Sequence, residues 1–351
     1  MRSTTTPTVS AISAIHTRRP LAFCVGAGLF WSIIALFGAD AQSVTWPSLG
    51  PEPDYLKLRG HVDTLPDFVG PIDGSAKLTI FTEGNHFPVL LPLVFKAFPE
   101  WCRSTRACQI EAPEILVATL PQPMVVEMLL KGGIMLGSAL LPVGRNKRVY
   151  PHFVMAGLLP LKRLAAAGII QGHAVIFAHH RGLGLLVRRD LADIKDLTSF
   201  AARVRRVVLA SDSEPGARSQ YLATLQQLIG SDASSRLLAR EISGFEGRIG
   251  VQHRDVPYAL LNDFADGGII FGHLADFYAR TYPDQLRFIP VSAAAPFGQD
   301  IAMAPTIGER RPIMDAFSRF FLETARAAYP EAGFSPVTDF TYALNVDIGT
   351  P

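Results

Sequence analysis

Histidine, amide and hydroxyl side chains directly follow several apolar segments of this chain. Asn85, His86, Gln122, Ser138 and His273 each come after a segment that is predicted to be a strand. Their side chains can donate hydrogen bonds to an anion, and imidazole can also bind a metal. In open α/β sheets, ligands bind beyond the carboxyl ends of the strands. We therefore expect these residues to meet at one ligand site.

A second group lies at the start of a predicted helix. Pro215, Gly216 and Ala217 follow a polar loop that ends another strand. The first turn of a helix has backbone N–H groups without intrahelical partners, and these suit an anionic ligand even on a protein of low net charge. Asp212 and Glu214 in the same loop are interpreted as capping groups for this helix rather than as a catalytic pair.

A transition-metal site is the alternative use of the histidines. It would require Glu83, His86 and His273 to converge with His179 or His180. Imidazole and carboxylate are suitable ligands for such an ion. No His-x-x-His or similar spacing is present, so only the fold can decide between this site and an anion site.

The motifs of common enzyme classes are absent from the sequence. It contains no G-x-S-x-G nucleophile elbow, no G-K-[ST] phosphate loop and no H-E-x-x-H zinc motif. Residues 181–184 (R-G-L-G) lack the third glycine and the acidic partner of a dinucleotide fingerprint. We expect a protein that is not an enzyme and has no cofactor.

Three cysteines are present, and two of them are spaced for a short bridge. Cys102 and Cys108 are six residues apart, whereas Cys24 lies in the N-terminal apolar segment. The spacing differs from the redox motif C-x-x-C, and no histidine is adjacent. An oxidising compartment would allow a structural disulfide between Cys102 and Cys108.

These residues must be positioned by alternating strands and helices. Predicted strands cover residues 77–82, 115–119, 133–136, 174–178, 184–188, 206–210, 267–271 and 286–291. Predicted helices cover residues 88–98, 121–131, 158–167, 196–203, 217–229, 256–264 and 311–329. Alternation of this kind predicts an α/β fold with mostly parallel sheets and flanking helices. The length suits two lobes.

The N-terminus predicts export. Arg18 and Arg19 precede an uncharged apolar run over residues 21–38, which ends at Ala39-Asp40-Ala41. This is the pattern of a signal peptide covering residues 1–41, and the arginine pair resembles a twin-arginine signal. An uncleaved membrane anchor is the alternative. Residues 42–75 are rich in Pro, Gly and Asp and predict an extended leader.

The charge balance argues against a partner that is attracted by the net charge of the protein. The chain has 33 Lys and Arg against 31 Asp and Glu, and cleavage after Ala41 would leave equal numbers of each. No basic field then remains to attract nucleic acid. Recognition of an anion must be local.

The order of the segments resembles the type 2 periplasmic binding proteins of ABC importers, and within them the molybdate-binding branch. The similar segments include K-L-T-I-F-T (77–82), V-V-E-M-L-L-K-G-G-I-M-L-G-S-A (125–139), A-V-I-F-A (174–178), R-R-V-V-L-A-S-D-S-E-P-G-A-R (205–218), A-D-G-G-I-I-F-G (265–272) and A-G-F-S-P-V (332–337). The resemblance extends over residues 77–338, which is most of the chain after the export segment.

The resemblance implies a monomeric periplasmic protein that captures a small ligand between two lobes joined by hinge strands and delivers it to a permease in the inner membrane. Lobe 1 would comprise residues 76–178 and 272–351, and lobe 2 residues 179–271. Carried over by position, the ligand-binding residues are Asn85, His86, Gln122, Ser138, Pro215, Gly216, Ala217, Phe271, Gly272 and His273. An oxyanion of the molybdate type is the expected ligand.

The chain departs from the molybdate-binding pattern at two places. Asn85-His86 stands where that branch has hydroxyl side chains, and Phe271 stands where it has a tyrosine. At these positions a tetrahedral oxyanion would lose the hydroxyl donors on which discrimination between ligands depends. A metal ion, an apolar molecule, or an accessory role without transport therefore stay open as alternatives.

Overall fold

The computed structural model describes residues 68–136, 139–212, 214–245, 251–291, 300–308, 310–337 and 341–344. The predicted signal peptide, residues 42–67 of the predicted leader, and Ser138 lie outside the described residues. None of the described helices is both long enough and apolar enough to cross a membrane.

Thirteen strands are numbered in chain order over the described residues. They are β1 (Phe68–Val69), β2 (Leu78–Glu83), β3 (Ile115–Leu120), β4 (Gly133–Leu136), β5 (Ala139–Pro142), β6 (Phe153–Ala156), β7 (His173–His179), β8 (Leu183–Arg188), β9 (Val207–Leu209), β10 (Gly267–Phe271), β11 (Leu286–Pro290), β12 (Asp300–Pro305) and β13 (Thr341–Ala343).

Nine α-helices are described. They are α1 (Phe87–Pro92), α2 (Phe98–Thr105), α3 (Gln122–Lys131), α4 (Leu158–Ala166), α5 (Leu197–Arg203), α6 (Pro215–Leu238), α7 (Asp255–Leu261), α8 (Gly272–Thr281) and α9 (Pro312–Glu331). Short 3₁₀ turns cover Gly84–His86 and Ala112–Glu114, and a π-helical turn over Leu93–Ala97 joins α1 to α2. Helix α6 is kinked at Gly230, whose φ is 81°.

The larger sheet has seven strands in the order β1-β3-β2-β6-β12-β7-β13. Strand β2 pairs in parallel with both β3 and β6, while the ladders on either side are antiparallel. Every residue of β2, β3 and β6 is buried. These strands are covered on both faces, so their apolar residues do not alternate with exposed polar ones.

The smaller sheet has four strands in the order β11-β8-β10-β9. Strands β9 and β10 are parallel, whereas β8 is antiparallel to both β10 and β11. The chain passes from the larger sheet to the smaller one between β7 and β8, at His180, Arg181 and Gly182. The α/β fold expected from the sequence is confirmed. Each sheet contains both parallel and antiparallel pairs, and the parallel pairs are β2 with β3, β2 with β6, and β9 with β10.

Several elements differ from the expectation. Strand β4 matches the predicted strand at residues 133–136, which its apolar side chains suggested would be buried. It pairs only with β5 in a separate hairpin, and Met135 in it is 59% exposed. Strands β6 and β12 were not predicted, although both lie in the middle of the larger sheet. Strand β11 extends the smaller sheet beyond residue 271, because it pairs with β8. The lobe boundaries stay a prediction.

Apolar side chains form two clusters on opposite faces of the larger sheet. Ile80 packs in one cluster and its neighbour Phe81 in the other, because successive side chains of a strand point to opposite faces. The cluster with Ile80 also contains Leu209 of the smaller sheet, so one apolar core runs through both sheets.

A disulfide joins Cys102 and Cys108 across the end of α2, with their Cα atoms 4.8 Å apart. Cys102 is fully buried, and Cys108 packs against the same core cluster. The bridge therefore attaches the segment after α2 to the apolar interior.

Candidate functional site

A cavity of about 480 Å³ lies between the strand ends of the larger sheet and the helices that follow strands of the smaller one. From the larger sheet it is lined by residues that follow β2, β3 and β6, and by Asp300 at the start of β12. From the other side it is lined by the start of α6, the segment before α7, and two residues of α8. This volume falls within the usual range for small-molecule sites.

Three helices begin at the cavity. Gln122 opens α3, Leu158 opens α4, and Pro215 opens α6, and all three residues line the cavity. Residues of the first turn of α6, Gly216 and Ala217, line it too. The N-terminus of a helix carries a partial positive charge and N–H groups that point out of the helix. The positive ends of α3 and α4 therefore face the cavity from the side of the larger sheet, and the positive end of α6 faces it from the other side.

The starts of α3 and α4 are tied together by a side chain. Oε1 of Gln122 accepts a hydrogen bond from the backbone N–H of Gly157, at 3.1 Å. Gly157 is the residue that precedes α4, so this bond occupies one of the N–H groups at that helix start. The Gln122 side chain thus fixes the floor of the cavity on the side of the larger sheet.

Charged side chains of both signs surround the cavity. Arg163 and Arg254 line it, as do Glu214 and Asp300. Each carboxylate has an imidazole partner: Glu214 pairs with Nδ1 of His253, and Oδ1 of Asp300 lies 2.6 Å from Nδ1 of His179. Arg163 is paired in the same way with Glu127, at 3.1 Å, so the helix starts supply the positive charge that a ligand would meet.

Apolar groups cover the rest of the wall. Phe87, Val126, Leu158, Leu274 and Tyr278 are among them. Sites for organic molecules commonly combine such a wall with a few polar groups that orient the ligand. The cavity is larger and more apolar than a bare tetrahedral anion requires.

Gln220, one and a half turns into α6, contributes an acceptor to the same cavity. Its Oε1 is buried and has no hydrogen-bond partner within the described part of the chain. Buried polar atoms are nearly always paired, so an isolated acceptor at a cavity wall marks a position where a ligand or water would donate.

His86 does not line the cavity, since its ring is turned into the protein and is fully buried. Its Nε2 lies 2.6 Å from Oγ1 of Thr82, and its Nδ1 lies 2.6 Å from the hydroxyl of Tyr329. The Thr82 hydroxyl donates to the carbonyl of Glu83, so Nε2 of His86 must donate to Thr82 and Nδ1 must accept from Tyr329. Burial lowers the pKa of His86 to about 4, so the ring is neutral at pH 7.

Glu83, at the end of β2, pairs with the chain crossing. Its Oε1 lies 3.4 Å from Nε2 of His180, and both side chains are 1% exposed. Burial alone would raise the pKa of Glu83, but its interaction with His180 outweighs burial and holds the pKa at about 2. The second oxygen, Oε2, accepts from Nδ2 of Asn85 at 2.8 Å. The carboxylate therefore stays ionised inside the protein.

Aromatic rings pack beside this pair. The ring of His180 stacks on Phe271 at 4.3 Å and on His273 at 5.1 Å between centroids, and His273 stacks on Phe334 at 3.8 Å. Burial, followed by the charge of His180, lowers the pKa of His273 well below its usual value. Phe271 and His273 thus belong to the packing under the cavity and do not line its wall.

The histidines and Glu83 do converge, as the metal alternative required. Nevertheless, no group of three His, Cys, Asp or Glu side chains in the described ranges has a geometry that could hold a metal ion. His86 and His273 are occupied by hydrogen bonds to Thr82, Tyr329 and the carbonyl of Asn85. The observed contacts are those of a packed polar core.

Five of the residues singled out in the sequence line the cavity, namely Asn85, Gln122, Pro215, Gly216 and Ala217. Four others, His86, Phe271, Gly272 and His273, do not line it, and Ser138 lies outside the described residues. Sequence reasoning missed Gly157 to Pro160, because β6 before them is only four residues long. It also missed Gln252 to Arg254, which no local pattern distinguishes.

Comparison with known proteins rests on structure alone, because no protein-family model and no curated protein matches the chain. The sulfate-binding protein SubI from Mycobacterium tuberculosis H37Rv matches with a TM-score of 0.52 at 14% identity, covering 74% of this chain and 87% of that chain.

Two further solved structures match with lower scores. The periplasmic molybdate-binding protein of Azotobacter vinelandii has a TM-score of 0.49 at 13% identity, covering 74% of this chain and 100% of that chain. Iron-bound HitA from Pseudomonas aeruginosa has a TM-score of 0.47 at 13% identity, covering 74% of this chain and 85% of that chain. The matches do not single out the molybdate-binding branch. The chain has the two-lobed α/β fold of periplasmic solute-binding proteins.

Proposed function

We propose that this protein is an exported solute-binding protein that holds a small anionic ligand in the cavity between its sheets and delivers it to an ABC importer. The observation that carries the proposal is the meeting of three helix N-termini, those of α3, α4 and α6, at one cavity. Such ends stabilise an anion without a net positive charge on the protein.

The same observation favours an anion over a metal ion. A cation would be repelled by the positive ends of the helices, and the two carboxylates at the wall already have imidazole partners. Among anions, an oxyanion of the molybdate type would be bound through backbone N–H groups such as those of Gly216 and Ala217. The apolar wall around Phe87 and Leu274 also leaves room for an anion with an organic substituent.

Closure of the two lobes would complete the site. The lobes are connected by the crossing from β7 to β8, and rotation about that segment would bring the start of α6 towards the start of α3 around the ligand. Ligand then shifts an equilibrium between open and closed forms, by as much as its affinity differs between them. Delivery to a permease would follow recognition of the closed form.

Thermal denaturation of the mature chain tests the ligand class. Molybdate, sulfate, small carboxylates and divalent metals would each be added in large excess. A ligand at a hundredfold excess over its dissociation constant raises the free energy of unfolding by about 2.7 kcal/mol. We expect a rise in melting temperature with at least one oxyanion or carboxylate that chelator does not abolish. Stabilisation by metals alone, abolished by chelator, would overturn the anion proposal.

A charge substitution in α6 tests whether the anion binds in this cavity. Gln220→Glu adds a negative charge at the cavity wall with almost no change in shape, and we expect it to weaken anion binding about tenfold or more. Gln227→Glu adds the same charge to an exposed position of the same helix and is the matched control. Equal affinities of the two variants would place the anion elsewhere.

A further inference from the structure

We propose a second anion site, on the opposite edge of the larger sheet from the ligand cavity, that binds a phosphate or sulfate group between Arg145, Lys147, Arg148 and Arg311. These four side chains line a separate cavity of about 200 Å³. The proposal is independent of the function proposed for the larger cavity, since the two share no lining residue.

The strand ends establish the separation of the two cavities. The larger cavity lies beyond the C-terminal ends of β2 and β6, at Gly84 and Gly157. The smaller cavity is lined by Thr79 near the start of β2, by His152 just before β6, and by Thr306 just after the antiparallel strand β12. Each of these strands therefore runs from one cavity to the other.

The lining of the smaller cavity is strongly basic. Residues 144–148 (G-R-N-K-R) contribute three cations and Arg311 a fourth, and no Asp or Glu side chain of the described residues lines the cavity. The carboxylate of Asp73 is near Arg148 but accepts both hydrogen bonds that Ser75 donates. Cations clustered in a concave site focus a positive potential that attracts anions.

Two chain segments distant in sequence build this cluster. Arg311 precedes α9, a helix of 20 residues, so the positive end of that helix adds to the charge. Gly74 lets the leading loop approach the basic loop, because a Cβ there would lie 2.8 Å from the carbonyl oxygen of Arg148. Arg145 is anchored by a hydrogen bond to the carbonyl of Gly168, at 3.2 Å.

His152 offers a neutral donor among the cations. Its Nδ1 accepts a hydrogen bond from the backbone N–H of Thr79, at 2.9 Å. The backbone group can only donate, so the neutral ring carries its proton on Nε2. Burial, and then the charge of Arg311, lower the pKa of His152 to about 4. The ring therefore stays neutral at pH 7, and a bound dianion nearby would raise this pKa.

The size and charge of the site define its ligand class. A cavity of about 200 Å³ admits one tetrahedral group with a short substituent, and arginine side chains match the geometry of phosphate oxygens. The cationic side chains are exposed, so binding should weaken as ionic strength rises. A free phosphate compound and the headgroup of an anionic lipid present the same chemistry.

Titration of the mature chain with inorganic phosphate at pH 7 tests the site. The readout is the imidazole NMR signal of His152, assigned by its absence in His152→Gln, because this signal distinguishes the smaller cavity from the larger one. We expect a saturable shift of the His152 signal. In Arg145→Gln/Arg148→Gln the affinity measured through that signal should fall about tenfold or more.

The control Lys96→Gln/Lys131→Gln removes two exposed cations outside the cavity and should leave the affinity unchanged. Sedimentation with phosphatidylglycerol vesicles, against phosphatidylcholine vesicles, separates a lipid headgroup from a free phosphate. Binding of either probe that depends on Arg145 and Arg148 supports the site. Two results together would overturn it. The His152 signal would not shift with phosphate, and the vesicles would either not bind the protein or bind both double variants equally.

Discussion

Glu83 and His180 form a buried contact, with Oε1 and Nε2 3.4 Å apart, that joins the end of a central strand to the point where the chain leaves the larger sheet. The carboxylate also accepts from Asn85, which lines the ligand cavity. The pair therefore connects the cavity wall to the crossing between the sheets through two consecutive contacts.

Removal of one member of this pair should destabilise the protein strongly. We expect Glu83→Gln to lower the free energy of unfolding by about 3 kcal/mol, because the buried His180 ring loses its carboxylate partner. Urea denaturation at pH 7 measures the change. Glu127→Gln breaks an exposed pair with Lys131 and should cost less than about 1 kcal/mol. Equal effects of the two substitutions would contradict a structural role for the buried pair.

The neutral, buried His86 predicts a loss of stability in acid. Its pKa is about 4 in the folded protein, against 6.5 for an unperturbed histidine, so the unfolded chain binds more protons between these values. The contribution of His86 is complete above pH 6.5 and is lost as the pH falls towards 4, by on the order of 3 kcal/mol. Urea denaturation of wild type and His86→Gln across this range isolates it. Parallel stability curves for the two proteins would show that His86 does not titrate on unfolding.

Close contact between two glycines should make one position intolerant of a side chain. A Cβ on Gly184 would lie 2.7 Å from Cα of Gly272, a backbone atom at the start of α8 that cannot move alone. We expect Gly184→Ala to lower the melting temperature, with a cost of about 1–3 kcal/mol. Gly172→Ala, where a Cβ meets no atom within 4 Å, is the control. A melting temperature for Gly184→Ala equal to that of the control would contradict the contact.

Closure predicts a measurable approach of the two lobes. Lys131 and Gln227 are exposed and lie on α3 and α6, the two helices whose first residues line the cavity. Spin labels at Lys131→Cys and Gln227→Cys would report the distance between these helices by pulsed electron paramagnetic resonance. We expect the distance to shorten when an anion that stabilises the protein is added. A distance unchanged by a ligand that demonstrably binds would exclude the hinge mechanism and leave binding to an already formed site.

Part of the ligand site could be predicted from local sequence. Asn85, Gln122 and the start of α6 line the cavity, and each follows an apolar run. Strand ends that precede helices can be recognised from such runs in the sequence. His86 and His273 follow strands as well, yet their rings are buried. Their positions along the chain were correctly associated with strand ends, but the direction of a side chain depends on what packs around it. Tyr329, 243 residues from His86, decides it there.

The sequence by itself determined the α/β class, the order of most strands and helices, and a helix start within two residues of Pro215, because hydrophobic periodicity acts over a few residues. Only the tertiary structure decided which strand ends share a cavity, that Glu83 pairs with His180, and that four cations from two distant segments surround one pocket. These contacts join residues far apart in the chain. Their geometry follows from the packing of the whole fold, which local pattern does not contain.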